Sequence, residues 1–285
     1  MHREKKAFIV KCAQLACLYE ASSPKPGNVY PFKGFPEMSF VDFVLASVNT
    51  GITLYDVDKF GVGKLIYRSL EKTYQNLSVN VNLGVVLLIV PLARAFWIKA
   101  DEEPLRDALC EVLSSLTVED AEWVYRGIRM VSPGGIGESK KADVRSTPDI
   151  TLKEAMKIAE SRDSIAYEYA NCYKMTFGFL YPRLLNNRQD LGLQDAVVHT
   201  FLELLSEVPD SLIVRKYGMD VAMDVVNRAR STLAAGGMRS AEGRKAVLDL
   251  DDYLRSGRRK LNPGTSADLI ASALMVYFLE GNSVT

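Results

Sequence analysis

Leu83-Gly-Val-Val-Leu-Leu-Ile-Val-Pro-Leu-Ala-Arg-Ala-Phe-Trp-Ile98 is the most apolar run in the chain. It is shorter than the roughly 20 residues a membrane-spanning helix needs, and Pro91 and Arg94 interrupt it. It therefore reads as a helix at the centre of a core, beginning near Val81. Working outward, apolar residues recur at helical spacing on both sides. Upstream, Phe8, Cys12, Leu15, Leu18 and Tyr19 line one face of a first helix that must end near Glu20, because Ser22, Ser23, Pro24 and Pro26 follow. Ser39 with Asp42 three residues on reads as a capping box opening a second helix through about Leu54, and a third covers Val62 to Tyr74. Downstream, Thr117 with Asp120 and Thr151 with Glu154 are further helix starts, the second running to Leu180. Later helices cover Gln194 to Glu207, Ser211 to Leu233 and Ser266 to Glu280. Period-two alternation, internal repeats and linker-like tracts are absent. The expectation is an all-α fold, one multihelical domain over residues 1–285.

Composition narrows the function classes. Lys plus Arg equals Asp plus Glu at 35 each, so no net charge draws the chain to nucleic acid or to an anionic membrane. Cys12, Cys17, Cys110 and Cys172 form no C-x-x-C pair, and His2 and His199 are far apart, so a thiolate or imidazole zinc site is not expected. Reduced thiols, no signal-peptide pattern and no membrane span suggest a cytoplasmic protein. A homo-oligomer is compatible with all of this.

Two short matches fail on context. Gly61-Val-Gly63-Lys64 resembles the end of a P-loop, but Asp58 and Leu65 stand where glycine and Ser or Thr are required. Ser22-Ser-Pro-Lys25 fits S-x-x-K, yet Pro24 disfavours the helical turn that motif needs.

Polar chemistry gathers in five patches. In Ser23-Pro-Lys25-Pro-Gly27-Asn28, Gly27 allows close backbone approach and Lys25 offers a charge for phosphate; a plain turn fits equally. Asn82, before Gly84, suits either a simple N-cap or an anion site at a helix start. The loop with Gly134, Gly135, Gly137, Glu138, Asp143 and Arg145 suits an anion nest, metal ligands or a solvated turn. Asp210 is a cap or a cation ligand, and Arg215-Lys216 a polyphosphate clamp. Ser266, with Asp268 in the first turn, opens the last helix.

Taken in order, these segments resemble the triphosphoribosyl-dephospho-CoA synthase family of citrate lyase maturation. The resemblance runs from Ser23-Pro-Lys-Pro-Gly-Asn28 and Met38-Ser-Phe-Val-Asp42-Phe43, through Asn82-Leu-Gly84, Gly137-Glu138 and Asp210 to Gly218. It closes on Asn262-Pro-Gly-Thr-Ser-Ala-Asp-Leu269. It implies an all-helical enzyme that transfers the triphosphoribosyl group of ATP to 3'-dephospho-CoA, or a related acceptor, and releases adenine. It implies Mg²⁺ for the triphosphate, with Asp42, Glu138 and Asp210 as base or metal candidates. Lys25, Gly27, Arg145, Arg215 and Lys216 are then expected on phosphates, and Asn28, Asn82, Gly84, Ser266 and Asp268 around the nucleotides. Val81-Asn-Leu-Gly84 stands where the citrate-lyase enzymes carry a Thr-His-Lys-Gly type segment, so a basic residue is absent there. A nucleotide-binding protein without turnover, or a hydrolase of a nucleoside or phosphoribosyl bond, is the alternative on the same scaffold.

Overall fold

A computed structural model describes residues 2–77, 79–134, 141–257 and 260–283. Among them are fourteen α-helices and no strand, only the isolated bridges Tyr30 with Lys33 and Phe35 with Met38. The first six are α1 (His2–Ser22), α2 (Phe40–Leu54), α3 (Val62–Leu77), α4 (Leu83–Ile98), α5 (Leu105–Ser114) and α6 (Val118–Val131). Then come α7 (Leu152–Ala159), α8 (Ser164–Ala170), α9 (Tyr181–Asn187), α10 (Leu193–Glu207) and α11 (Ser211–Tyr217). The last three are α12 (Met219–Ala234), α13 (Ala241–Arg255) and α14 (Gly264–Leu279). No helix is long and apolar enough to cross a membrane.

The helix starts follow the capping residues. Asp42, Asp120 and Glu154 each accept from the backbone N–H of the Ser or Thr three residues earlier, at 2.7, 2.9 and 2.8 Å. The expected helix from Thr151 to Leu180 is instead broken. Asp163 caps α8 by accepting from Ile165 and Ala166, and Cys172 and Tyr173 take left-handed φ values of 49° and 51°. The buried Glu168 carboxylate bridges that break, accepting from the backbone of Met175 and Thr176. The expected helix from Ser211 to Leu233 likewise divides at Gly218, whose φ of 90° suits glycine.

α4 and α14 form the centre, packed on each other and, through α14, on α1. Pro91 inside α4 has no N–H, which leaves the carbonyl of Leu87 without its helical donor. The buried Tyr169 hydroxyl donates to that carbonyl at 2.6 Å, and Tyr173 donates to Leu88 O at 3.0 Å. The helix therefore continues through the proline. Gly63, part of the P-loop-like match, lets α3 and α6 touch: a Cβ there would lie 2.4 Å from the carbonyl oxygen of Asp120.

Candidate active site

The N-terminal ends of α4 and α14, the C-terminal end of α1, and α6, α7, α8 and α11 enclose a cavity of about 850 Å³. That lies toward the top of the roughly 300–1,000 Å³ usual for ligand pockets. Asp268, on the second turn of α14, stands half-buried in its wall. A Cβ on Gly84 would fall 2.0 Å from Asp268 Oδ2 and 2.3 Å from its Cγ, so glycine is what lets α4 begin beside this carboxylate. The Asp268 carboxyl has no hydrogen-bond partner among the described residues. Burial, with the charges of Glu20, Asp210 and Asp163, pushes its pKa well above the ordinary 3.8, and Arg215 opposes the shift.

Glu20 reaches the same cavity from the last turns of α1. One of its oxygens, Oε1, lies 3.0 Å from the Lys25 ammonium, and Lys25 is fully buried. The Lys25 ammonium also donates to the carbonyls of Glu20 and Ser23. The structure thus corrects the phosphate role expected of Lys25: its donors are taken within its own loop, and it fixes Glu20 instead. Gly27 (φ 77°) is turned to a similar structural use. Its N–H donates to Asp251 at 2.7 Å, and a Cβ would meet Leu261 O at 2.9 Å. Asn28, beside it, does line the cavity.

Asp251 on α13 holds this loop in place. Besides Gly27 it accepts from Tyr30 Oη at 3.0 Å, Lys33 Nζ at 2.8 Å and Arg255 Nε at 2.8 Å. Burial alone would raise its pKa, but Lys33, the Gly27 N–H and Arg255 outweigh burial and hold it below the ordinary 3.8.

Further expectations change. Asp42 is a capping carboxylate on α2 and Asp210 a buried clasp, and neither lines the cavity. Asp210 Oδ1 accepts from Leu212 and Ile213 at 2.9 and 3.0 Å. Its Oδ2 accepts from the Ser266 backbone at 2.7 Å and the Ser266 hydroxyl at 2.8 Å. With both oxygens engaged, Asp210 joins α11 to α14 rather than binding a cation, and the Ser266 hydroxyl is engaged with it. Asn82 sits at the N-cap position of α4, but its amide donates to Thr50 at 3.4 Å; Asn80 caps Leu83 N–H at 3.2 Å and lines the cavity in its place. Arg145 is exposed, forked onto Asp143 at 2.9 and 2.7 Å, and is not among the residues lining the cavity. Glu138 lies outside the described residues.

Arg215 and Lys216 do line the cavity, joined there by Arg162 and Lys141. Arg215 Nη1 donates to Asp163 Oδ2 at 2.5 Å, and both line the cavity along with Arg162 and Lys216. Sequence reading passed over Glu20, Asp163 and Arg162. Glu20 sits in an amphipathic helix with no motif around it, and only the helix break after Ala159 could have drawn notice to Arg162-Asp163. Two carboxylates, Glu20 and Asp268, line the cavity near enough for the charge of Glu20 to act on Asp268, and cationic side chains suited to phosphate line it too.

A 2-(5''-triphosphoribosyl)-3'-dephosphocoenzyme-A synthase assigned as "Probable" in Pseudomonas syringae pv. tomato is 32% identical over 100 residues, 35% of this chain and 34% of that protein. A protein of the same description from Malonomonas rubra is 32% identical over 97 residues, 33% of this chain and 30% of its own. The matched segments span about a third of these relatives' length. A crystal structure of an Archaeoglobus fulgidus protein, assigned as a triphosphoribosyl-dephospho-coA synthase, superposes with a TM-score of 0.66 at 25% identity. It covers 85% of this chain and 99% of that one. The family profile of CitG, ATP:dephospho-CoA triphosphoribosyl transferase, matches residues 6–284, and the chain belongs to that family.

Proposed function

We propose that the cavity joins ATP to 3'-dephospho-CoA. A ribose hydroxyl of the acceptor attacks the anomeric carbon of ATP and forms the new C–O bond. The bond to adenine breaks, adenine leaves with the electron pair, and the 5'-triphosphate stays on the transferred ribose. The observation that carries this reading is the Asp268 carboxylate, held against Gly84 in the cavity wall with Glu20 beside it.

A hydroxyl nucleophile needs a base, and a carboxylate whose pKa is raised toward working pH accepts a proton best. Asp268 stands in the cavity wall with no hydrogen-bond partner among the described residues, and burial raises its pKa, so it would be the group that takes the hydroxyl proton. Glu20, anchored by Lys25, supplies negative charge to the oxocarbenium-like centre as adenine departs. Arg162, Arg215, Lys216 and Lys141 face the triphosphate.

The donor set fits a magnesium ion. Glu20 lines the cavity together with cationic side chains, and such ions are commonly held by one or two carboxylates plus substrate phosphates. Glu20 would hold the ion, whose chemistry when bound is to neutralise phosphate charge. Asp42 and Asp210 do not fit, because helix caps engage them.

The test is incubation of the protein with ATP, Mg²⁺ and dephospho-CoA, following adenine by chromatography. Adenine formed only when the acceptor is present supports the transfer. ATP bound without adenine released overturns it in favour of a binding protein.

A further inference from the structure

The four cysteines divide into two kinds. Cys12 and Cys17 on α1 are buried, and burial pushes both thiols up. Cys110 on α5 and Cys172, in the break after α8, are each only half-buried. Arg106 and Cys110 stand one turn apart on the same face of α5. Arg106 Nε donates to Cys172 O at 3.1 Å, and its guanidinium lies 6.0 Å from the centre of the Phe177 ring, so this face of α5 meets the break. The Cys172 thiol is near enough to act on that of Cys110 by hydrogen bond and by charge. The break is itself fixed: Cys172 and Tyr173 form its left-handed turn, the Tyr173 N–H donates to Glu168 O at 2.8 Å, and its hydroxyl donates to α4. Among the described residues no further His, Cys, Asp or Glu completes a metal site with the two thiols. The chemistry open to this pair is that of sulfur with sulfur.

Burial first, and then the hydrogen bond and charge of Cys172, push the Cys110 pKa up to about 12. Cys110 therefore keeps its proton, which leaves Cys172 as the attacking sulfur, since the thiolate is the nucleophile. We propose that Cys110 and Cys172 are a reversible disulfide-forming pair, oxidised by small disulfides of the glutathione type. Cys172 gives its proton to water, and its thiolate attacks one sulfur of the oxidant, whose S–S bond breaks and releases a first glutathione thiolate. The mixed disulfide on Cys172 carries no charge, which removes both influences by which Cys172 raised the Cys110 pKa. Cys110 then passes its proton to the released thiolate and attacks Cys172 Sγ. The second glutathione leaves and takes up the proton that Cys172 gave to water. Two protein thiols are oxidised to one disulfide, and the external disulfide is reduced to two thiols. The new bond ties α5 to the break beyond α8, the helix that brings Ile165 and Ala166 to the cavity.

The test holds the reduced, full-length protein in oxidised glutathione at neutral pH and quenches it in acid. Thiols titrated in denaturant should fall from four to two. The intact mass should drop by two hydrogen atoms, and peptide maps without reductant should join the segments that carry Cys110 and Cys172. Dithiothreitol should restore all four thiols. Cys12 and Cys17 should stay reduced, which shows that the exchange took place in the folded protein. In Cys110→Ser the reaction should stop at a glutathione adduct on Cys172, because no second sulfur resolves it. Cys110→Ala, favourable in a helix, serves if the serine variant does not fold. Four thiols retained by the natural protein would overturn the proposal. Glutathione adducts that persist on Cys110 and Cys172 without a bridge would do the same, since the sulfurs would then be out of reach of each other. A bridge between two chains, a bridge through Cys12 or Cys17, or a Cys110→Ser protein with no adduct on Cys172 would also overturn it.

Discussion

Asp268 is where the account is most exposed at the scale of a single side chain. Its folded pKa is raised, so the folded state holds the proton more tightly than the unfolded chain does. Stability from this group is therefore full below the ordinary value of 3.8 and is lost as pH rises through the folded value. Asp268→Asn should remove that loss. Urea unfolding in magnesium-free buffer should find the variant at least as stable as the natural protein at pH 8, while adenine release falls by about 100-fold or more, as for a lost base. A variant clearly less stable at pH 8 would mean that the carboxylate has a structural partner. Gly84 makes a paired prediction. Gly84→Ala must displace the Asp268 carboxylate, and a shift on the order of 1 Å costs roughly 100-fold in rate. Its thermal midpoint should change little, since alanine favours a helix. Of the site, the sequence made Asn28, Gly84, Arg215, Lys216 and Asp268 legible as cavity residues. It could not tell Lys25 from a phosphate ligand, because only the fold reveals that Glu20, five positions earlier, takes up the ammonium.

Among elements, helix starts were readable because their signals are local. Ser39 with Asp42, Thr117 with Asp120 and Thr151 with Glu154 each carry a cap within four residues of chain. Breaks inside periodic stretches were not readable, since they depend on distant partners such as the carboxylate of Glu168. α5, α9 and α13 fall outside the stretches where apolar spacing and caps together predict a helix. The α4 proline shows such a distant partner at work. Tyr169→Phe leaves the buried Leu87 carbonyl only the long 3.5 Å donation from the Tyr173 hydroxyl and should cost about 1–3 kcal/mol by denaturant unfolding. In a Pro91→Ala background, where alanine restores the helical N–H, that cost should shrink; an unchanged cost would place the effect in packing instead. The loop from Ser23 to Met38 gives a second test. Asp251→Ala removes the acceptor shared by Gly27, Tyr30, Lys33 and Arg255, and breaking such a buried set costs about 3–5 kcal/mol. Because the Asp251 pKa is lowered, its stabilisation is present above 3.8 and fades as pH falls through the folded value. The difference between natural protein and variant should narrow in acid, and a constant difference down to the lowest pH would contradict the assignment.

For the molecule as a whole, the all-helical architecture was the most legible property, because apolar spacing repeats along most of the chain. The cavity was the least legible. Its wall draws on residues from near 20 to near 268, and only the packing of α1, α4 and α14 brings them together. The same packing brings Glu20 and Asp268 into one wall of a space that cationic, neutral polar and apolar side chains also line. The most direct test of the central claim is the mass balance of the reaction with ATP, Mg²⁺ and dephospho-CoA. Adenine and the triphosphoribosyl adduct of dephospho-CoA, identified by mass, should form one for one. Adenine with free triphosphoribose and no adduct would mean a hydrolase, and neither product would contradict the account.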